Sequence, residues 1–251
     1  MDSTLRGALR DLPPTEPLLV GVDFDGTLAP LSDEPMAVEP VAGGIGVLYE
    51  LAALEATTVA LVSGRALQPL RELSGADEPI VLIGSHGAES SHRSQLALDE
   101  GQQLRFDRLA EGLEAVLEEH PRARVERKPA ALVLHTRGLP DAAARAAREA
   151  ATSMALDVPE VAVTEGKDVV EMAVTPADKG SALLELADAV HATRIVYAGD
   201  DVTDEHAFAT LPEPHVSVKV GSGTTSARFR VDDERAVVDM LRLLYGARSG
   251  S

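Results

Sequence analysis

The sequence predicts an α/β protein: a doubly wound parallel sheet interrupted once by a smaller, inserted α+β domain. Three observations carry that expectation. Apolar runs of strand length recur, and they are continuous rather than alternating, as in parallel strands covered by helices on both faces. Segments of helical periodicity lie between them, giving the βα alternation of a sheet with right-handed crossovers. Between residues 88 and 177 the alternation stops, and afterwards it resumes, as it does around an insertion.

Along the chain, LLVGVDF (18–24), TTVALVSG (57–64), PIVLIGSHG (79–87), RIVYAGD (194–200) and HVSVKVG (215–221) read as strands. GGIGVLYELAALEA (43–56), ALQPLRELSG (66–75), DKGSALLELADAV (178–190), TDEHAFATL (203–211) and ERAVVDMLRLLYG (234–246) read as helices. The interrupting block opens with a short alternating segment and a helix from about 102 to 119, followed by strands at ARVERK and ALVLHTR. A helix from about 139 to 155 and strands at VAVTEGK and DVVEMAV complete it. The expected domains are therefore a core of residues 1–90 and 178–251 and an insert of residues 91–177.

Composition narrows the function classes. The 251 residues are 45% hydrophobic, ample for the core of one large or two modest domains. No apolar run approaches the roughly 20 residues that span a bilayer, and MDSTLRGALRDLPP has no apolar signal core, so a cytoplasmic protein is expected. The absence of cysteine excludes disulfides, thiolate metal sites and a cysteine nucleophile. With 23 Lys and Arg against 41 Asp and Glu, the net charge of −18 repels nucleic acid and anionic membrane, and neither is expected as a partner. An anionic ligand has to be met locally by lysines, arginines, backbone N–H groups or a metal ion.

Four stretches offer such a site. In DFDGT, Asp23 and Asp25 stand at the carboxyl end of an apolar strand, where open α/β sheets bind ligands. A buried carboxylate there needs a cation or a reaction to compensate it, although one of the pair can equally cap a turn with Gly26 and Thr27. SGR gives Ser63, Gly64 and Arg65 at the start of a helix, a hydroxyl and N–H groups suited to phosphate oxygens. Lys179 in DKG opens another helix and can neutralise an anion. GDDVTDE brings Asp200 and Asp201, then Asp204 in a first helical turn, where a carboxylate is also favoured simply as a cap. Together they supply hard oxygen ligands for Mg²⁺ and positive groups for phosphate.

DFDGT, the SGR serine, DKG and GDDVTDE, in this order, resemble the four motifs of the haloacid dehalogenase-like (HAD) phosphatases. Only 35 residues separate Thr27 from Ser63, so the cap domain of such a protein has room only after the third strand. With GSHGAE, ERK, LHTR, GK and VE added, nearly the whole chain is similar to the trehalose-6-phosphate phosphatase family. That resemblance implies a HAD-like Rossmannoid core and an α+β cap that closes over a sugar phosphate and sets specificity. It implies sugar contacts at Glu126, Lys128, Arg137, Lys167 and Glu171, of which Glu126, Lys128 and Arg137 also read as a cross-strand charge cluster. Thr136 stands where the family more often has an aromatic residue.

On the same resemblance Asp23 attacks phosphorus and forms an aspartyl-phosphate, while Asp25 protonates the leaving oxygen and later deprotonates water. Mg²⁺ is held by Asp23, the Asp25 backbone carbonyl and Asp200, with Asp201 and Asp204 in support. Ser63, Lys179, Gly26, Thr27, Gly64 and Arg65 surround the phosphate, and a monomer is expected. A phosphatase for another disaccharide, pseudodisaccharide or glycosyl phosphate shares all the core motifs, which read phosphate and not sugar. A sugar-phosphate sensor would be expected to lack Asp25, which is present.

Overall fold

The apolar run ending at Asp23 is an inner strand of a seven-stranded sheet in the computed structural model, which describes residues 2–32, 34, 36–92, 98–166, 168–174 and 178–250. Elements are numbered along the chain. β1 (Leu18–Asp23) lies between β2 (Thr57–Val62) and β9 (Arg194–Gly199). β3 (Val81–Gly84) extends one side, and β10 (Val216–Val220) and β11 (Phe229–Val231) extend the other. These six strands run parallel, and β4 (Glu89–Ser90) closes the β3 edge antiparallel. The chain builds outward from β1 in one direction and then returns to build in the other. β1 and β9 therefore flank the topological switch point, outside whose carboxyl ends such sheets bind ligands.

Both faces of the sheet are covered, which is why the strands read as unbroken apolar runs. Val20, Val22, Leu61, Val196 and Val218 pack in one cluster with residues of α1 (Ser3–Arg10), α2 (Gly44–Ala52), α3 (Leu67–Ser74) and α8 (Glu234–Ser249). Leu19, Ala60, Ile83, Ile195 and Tyr197 pack on the other face with α6 (Lys179–Ala189) and α7 (Val202–Thr210). Each fully buried Leu or Val contributes roughly 1.5–3 kcal/mol relative to exposure. Arg248, buried near the end of α8, donates to the carbonyls of Pro13, Pro14, Glu16 and Ala56 and so ties the segment before β1 to the last helix.

Three local features depart from the expectation. The third strand stops at Gly84 rather than continuing to residue 87, because Ser85 and His86 take φ of +49° and +54°. That left-handed pair cannot continue a ladder, and Ser85–Gly87 forms a 3₁₀ turn. The helix α1 and the strand β11 come in addition. α1 buries only Leu5 and Leu9, and β11 has three residues, so neither leaves a pattern long enough to read.

Contacts divide the chain into two units, Met1–Ser94 with Ala177–Ser251, and Gln95–Pro176. The second unit is an antiparallel sheet ordered β5 (Arg124–Lys128), β6 (Ala131–His135), β8 (Val169–Ala173), β7 (Ala162–Gly166), with α4 (Glu100–Glu119) and α5 (Asp141–Leu156). Leu132, Leu134, Val170 and Met172 are fully buried on one face, where Arg127 lies over the ring of Phe106 from α4. On the other face Glu126, Val133, Glu171 and Thr164 form one row across the four strands. Among the described residues no helix is long and apolar enough to cross a membrane.

Candidate active site

Strand alternation aims Asp23 toward α6. Leu19 belongs to the cluster on that face, and a Cβ on Gly21 would come within 2.6 Å of Leu183 of α6. The helix begins there because Asp178 accepts from the backbone N–H groups of Gly180 and Ser181 at 2.7 and 3.0 Å, an N-cap that fixes Lys179 as the first helical residue. Lys179 is 2% exposed, a cost repaid by charged partners. Its Nζ lies 2.7 Å from Asp23 Oδ1, 2.8 Å from Asp204 Oδ1 and 3.8 Å from Asp201 Oδ1. Burial works against the ammonium, but the charges of Asp23, Asp204 and Asp201 outweigh it and raise its pKa.

The turn after β9 supplies the other acids. Asp201 caps α7 by accepting from the Asp204 backbone N–H at 3.0 Å, and Asp204 Oδ2 accepts in return from the N–H of Asp201 at 3.0 Å. The capping alternative is thus realised, and Asp204 does more than cap. Its Oδ2 also takes the Asp200 N–H at 2.9 Å, and its Oδ1 takes both Lys179 and the Tyr197 hydroxyl, the latter at 2.5 Å. A Cβ on Gly199 would fall 2.2 Å from the Asp204 carboxyl carbon, so glycine makes the space for it.

The three neighbouring acids titrate differently. Burial pushes Asp23 well above its ordinary value against the pull of Lys179. Burial, then the charges of Asp204 and Asp201, raise Asp200 to about 6. At Asp201 burial is outweighed by Lys179 and by hydrogen bonds from Thr203 and Asp204, which bring it down to about 2.

Asp25 lies beyond the end of β1, and its carboxylate pairs with Arg65: Nε is 2.7 Å from Oδ2 and a terminal nitrogen 2.6 Å from Oδ1. Ser63 Oγ donates to Asp25 Oδ2 at 3.4 Å and accepts the Arg65 N–H at 3.0 Å. Arg65, expected beside the phosphate, spends its guanidinium on Asp25 instead. A Cβ on Gly64 would lie 2.4 Å from the His86 ring, so the loop tolerates no side chain there. Gly26 has φ +78°, and a Cβ on it would sit 2.2 Å from Asp200 Oδ2. That close approach joins the first motif to the last. Thr27, expected among the groups around substrate, is fully buried with its hydroxyl 3.4 Å from Asp200 Oδ1.

Carboxylate oxygens of Asp23, Asp200 and Asp204 lie within 4.8 Å of one another. The donors are the hard oxygens Mg²⁺ prefers. Asp204 already accepts four hydrogen bonds, two on each oxygen, so Asp23 and Asp200 are the carboxylates with capacity left for an ion. The raised Asp200 marks negative charge that a cation would relieve.

In the second unit Lys128, 9% exposed, pairs with Glu171 at 2.9 Å, and Glu126 with His135 at 2.8 Å. Glu126, Lys128 and Glu171 share one sheet face, while Arg137 is exposed in the turn after β6 and Lys167 lies outside the described residues. Two core residues escaped the sequence reading. Tyr197 was concealed inside an apolar strand, whereas Lys219, 6% exposed, interrupts the run VSVKV and could have been noticed there.

The sequence profile of the trehalose-phosphatase family matches residues 21–235. The bifunctional trehalose-6-phosphate synthase/phosphatase of Thermoproteus tenax is 33% identical over 235 residues, a match covering 90% of this chain and 32% of that protein. The trehalose-6-phosphate phosphatase of Escherichia coli is 31% identical over 223 residues, covering 83% of this chain and 79% of that one. The chain thus spans about a third of the length of the first relative and most of the second. A solved structure of the Aspergillus fumigatus trehalose-6-phosphate phosphatase superposes with a TM-score of 0.71 at 26% identity, covering 98% of both chains.

Proposed function

Because this chain belongs to the trehalose-phosphatase family, we propose that it is a Mg²⁺-dependent phosphatase that hydrolyses trehalose 6-phosphate to trehalose and phosphate. The observation that carries the reading is the cluster at the switch point: Asp23 against Lys179, with Asp200, Asp201 and Asp204 around it.

Asp23 is the nucleophile. Its carboxylate oxygen forms a bond to phosphorus as the bond to the sugar oxygen breaks, giving an aspartyl-phosphate and splitting hydrolysis into two displacements. Water then attacks that phosphorus and releases Asp23. Lys179 fixes Asp23 through Oδ1, and its charge opposes the rise in the Asp23 pKa that burial causes, in the direction a bound cation would reinforce. Mg²⁺ would be held by Asp23, Asp200 and the Asp25 carbonyl, with Asp201 and Asp204 in support, and when bound it neutralises phosphate charge. Ser63 Oγ and the Gly64 N–H complete the phosphate cradle, the N–H groups of Ser63 and Arg65 being donated to the Ile83 carbonyl and to Ser63 Oγ.

Asp25 is the acid and base. It donates a proton to the departing sugar oxygen and takes one from the incoming water. In its pair with Arg65 the carboxylate only accepts. One of its oxygens therefore has to exchange its Arg65 hydrogen bond for a proton before the first displacement while the other stays held, and Arg65 is its holder rather than a substrate ligand. Sugar recognition belongs to Glu126, Lys128, Arg137, Lys167 and Glu171.

The experiment is phosphate release from trehalose 6-phosphate with Mg²⁺, with EDTA, and with Asp23→Asn and Asp25→Asn. Wild type with Mg²⁺ turns over, and the other three conditions do not. Near-wild-type turnover by Asp23→Asn would rule out the covalent route.

A further inference from the structure

We propose that Lys219 is a positioning residue that fixes Asp200 for the metal; this rests on the Mg²⁺ reading above. Every residue of β10 is buried, and a lysine in such a strand has to be compensated. In register Lys219 pairs with Gly199, one residue before Asp200, and its Nζ donates to the Asp200 backbone carbonyl. Its carboxylate neighbour is Glu205 on α7, at 3.8 Å. Glu205 is itself anchored by the Ser226 N–H at 2.7 Å and the Thr225 hydroxyl at 3.2 Å.

Asp200 is therefore gripped at three points: its N–H by Asp204, its carbonyl by Lys219 and its carboxylate by Thr27. The first two fix the peptide units on either side of its Cα, and so the direction in which the side chain leaves the chain. Its hydrogen bond to the Asp200 carbonyl reaches the site through the backbone. Partners of this kind, which orient a ligand without touching the ion, typically change metal affinity 10–100-fold when removed.

The sign of the effect separates positioning from simple charge. A buried ammonium beside a cation site repels the cation, so deleting the charge alone would tighten metal binding. Losing the grip on Asp200 would weaken it.

The test is calorimetric titration of Mg²⁺ alone into substrate-free wild type and Lys219→Met, with thermal melts to confirm folding. Lys219→Met is expected to bind about 10-fold more weakly, with the KM for Mg²⁺ raised and kcat recovered at saturating metal. Unchanged or tighter binding overturns the assignment, and so does an affinity that stays wild-type while only the melting temperature falls. Should Lys219→Met fail to fold, Lys219→Gln, which removes the same charge with a shorter, polar side chain, is expected to weaken Mg²⁺ several-fold, and unchanged or tighter binding there overturns the assignment equally. A wild type that takes up no Mg²⁺ would sink the metal reading and Lys219 with it, whereas a binding wild type with an undiminished variant sinks Lys219 alone.

Discussion

Arg65 holds both carboxylate oxygens of Asp25, at 2.6 and 2.7 Å, two residues after Asp23, the proposed nucleophile. A planar guanidinium fork matched to a carboxylate fixes direction as well as charge. It keeps Asp25, the acid and base proposed above, on the Ser63 side of the site, apart from the Lys179 pair that grips Asp23.

Arg65→Ala should therefore be selective for the leaving group. A sugar alkoxide needs a proton as it departs, and general-acid placement is worth about 10²–10⁴-fold. A nitrophenolate needs none. Turnover of trehalose 6-phosphate should fall at least about 10-fold, while 4-nitrophenyl phosphate falls by a few-fold at most. Equal losses on both would return Arg65 to the phosphate.

Asp200 and Asp201 give stability opposite pH dependences. Asp200 titrates near 6 when folded against an ordinary value of 3.8, so the metal-free folded state becomes less stable as pH rises between them. Asp201, held near 2, contributes stability that is present above 3.8 and lost as pH falls toward 2. In melts with EDTA, Asp200→Asn should gain on wild type from about pH 4 to about pH 6, and Mg²⁺ should remove that advantage. A difference independent of pH would contradict the burial argument.

Glu171→Gln tests the second unit. The substitution keeps shape and removes the charge paired with the buried Lys128. KM for trehalose 6-phosphate should rise about 10-fold, the loss of roughly one charge-assisted hydrogen bond, while 4-nitrophenyl phosphate is hydrolysed as by wild type. Parallel losses on both substrates would make the pair a structural one.

Much of this was legible before any coordinates. Continuous apolar strands and the residues at their carboxyl ends follow from local pattern, so Asp23, Lys179, Asp200 and Asp204 could be named from the sequence. Partnerships could not. That Arg65 would turn to Asp25, Thr27 to Asp200 and Tyr197 to Asp204 depends on contacts between segments 40, 173 and 7 residues apart. The early end of β3 was hidden for a different reason: Ser85 and His86 adopt a left-handed conformation that their types do not announce. Lys219 was the missed signal, a charge inside an otherwise apolar strand.

The most direct test is kcat/KM for phosphate release, measured with Mg²⁺ across trehalose 6-phosphate, glucose 6-phosphate and other glycosyl phosphates. Trehalose 6-phosphate is expected to exceed the rest by at least about 100-fold, the discrimination available when a few buried polar groups are left unpaired by the wrong sugar. Equal values on all of them would contradict it and leave a generic sugar phosphatase.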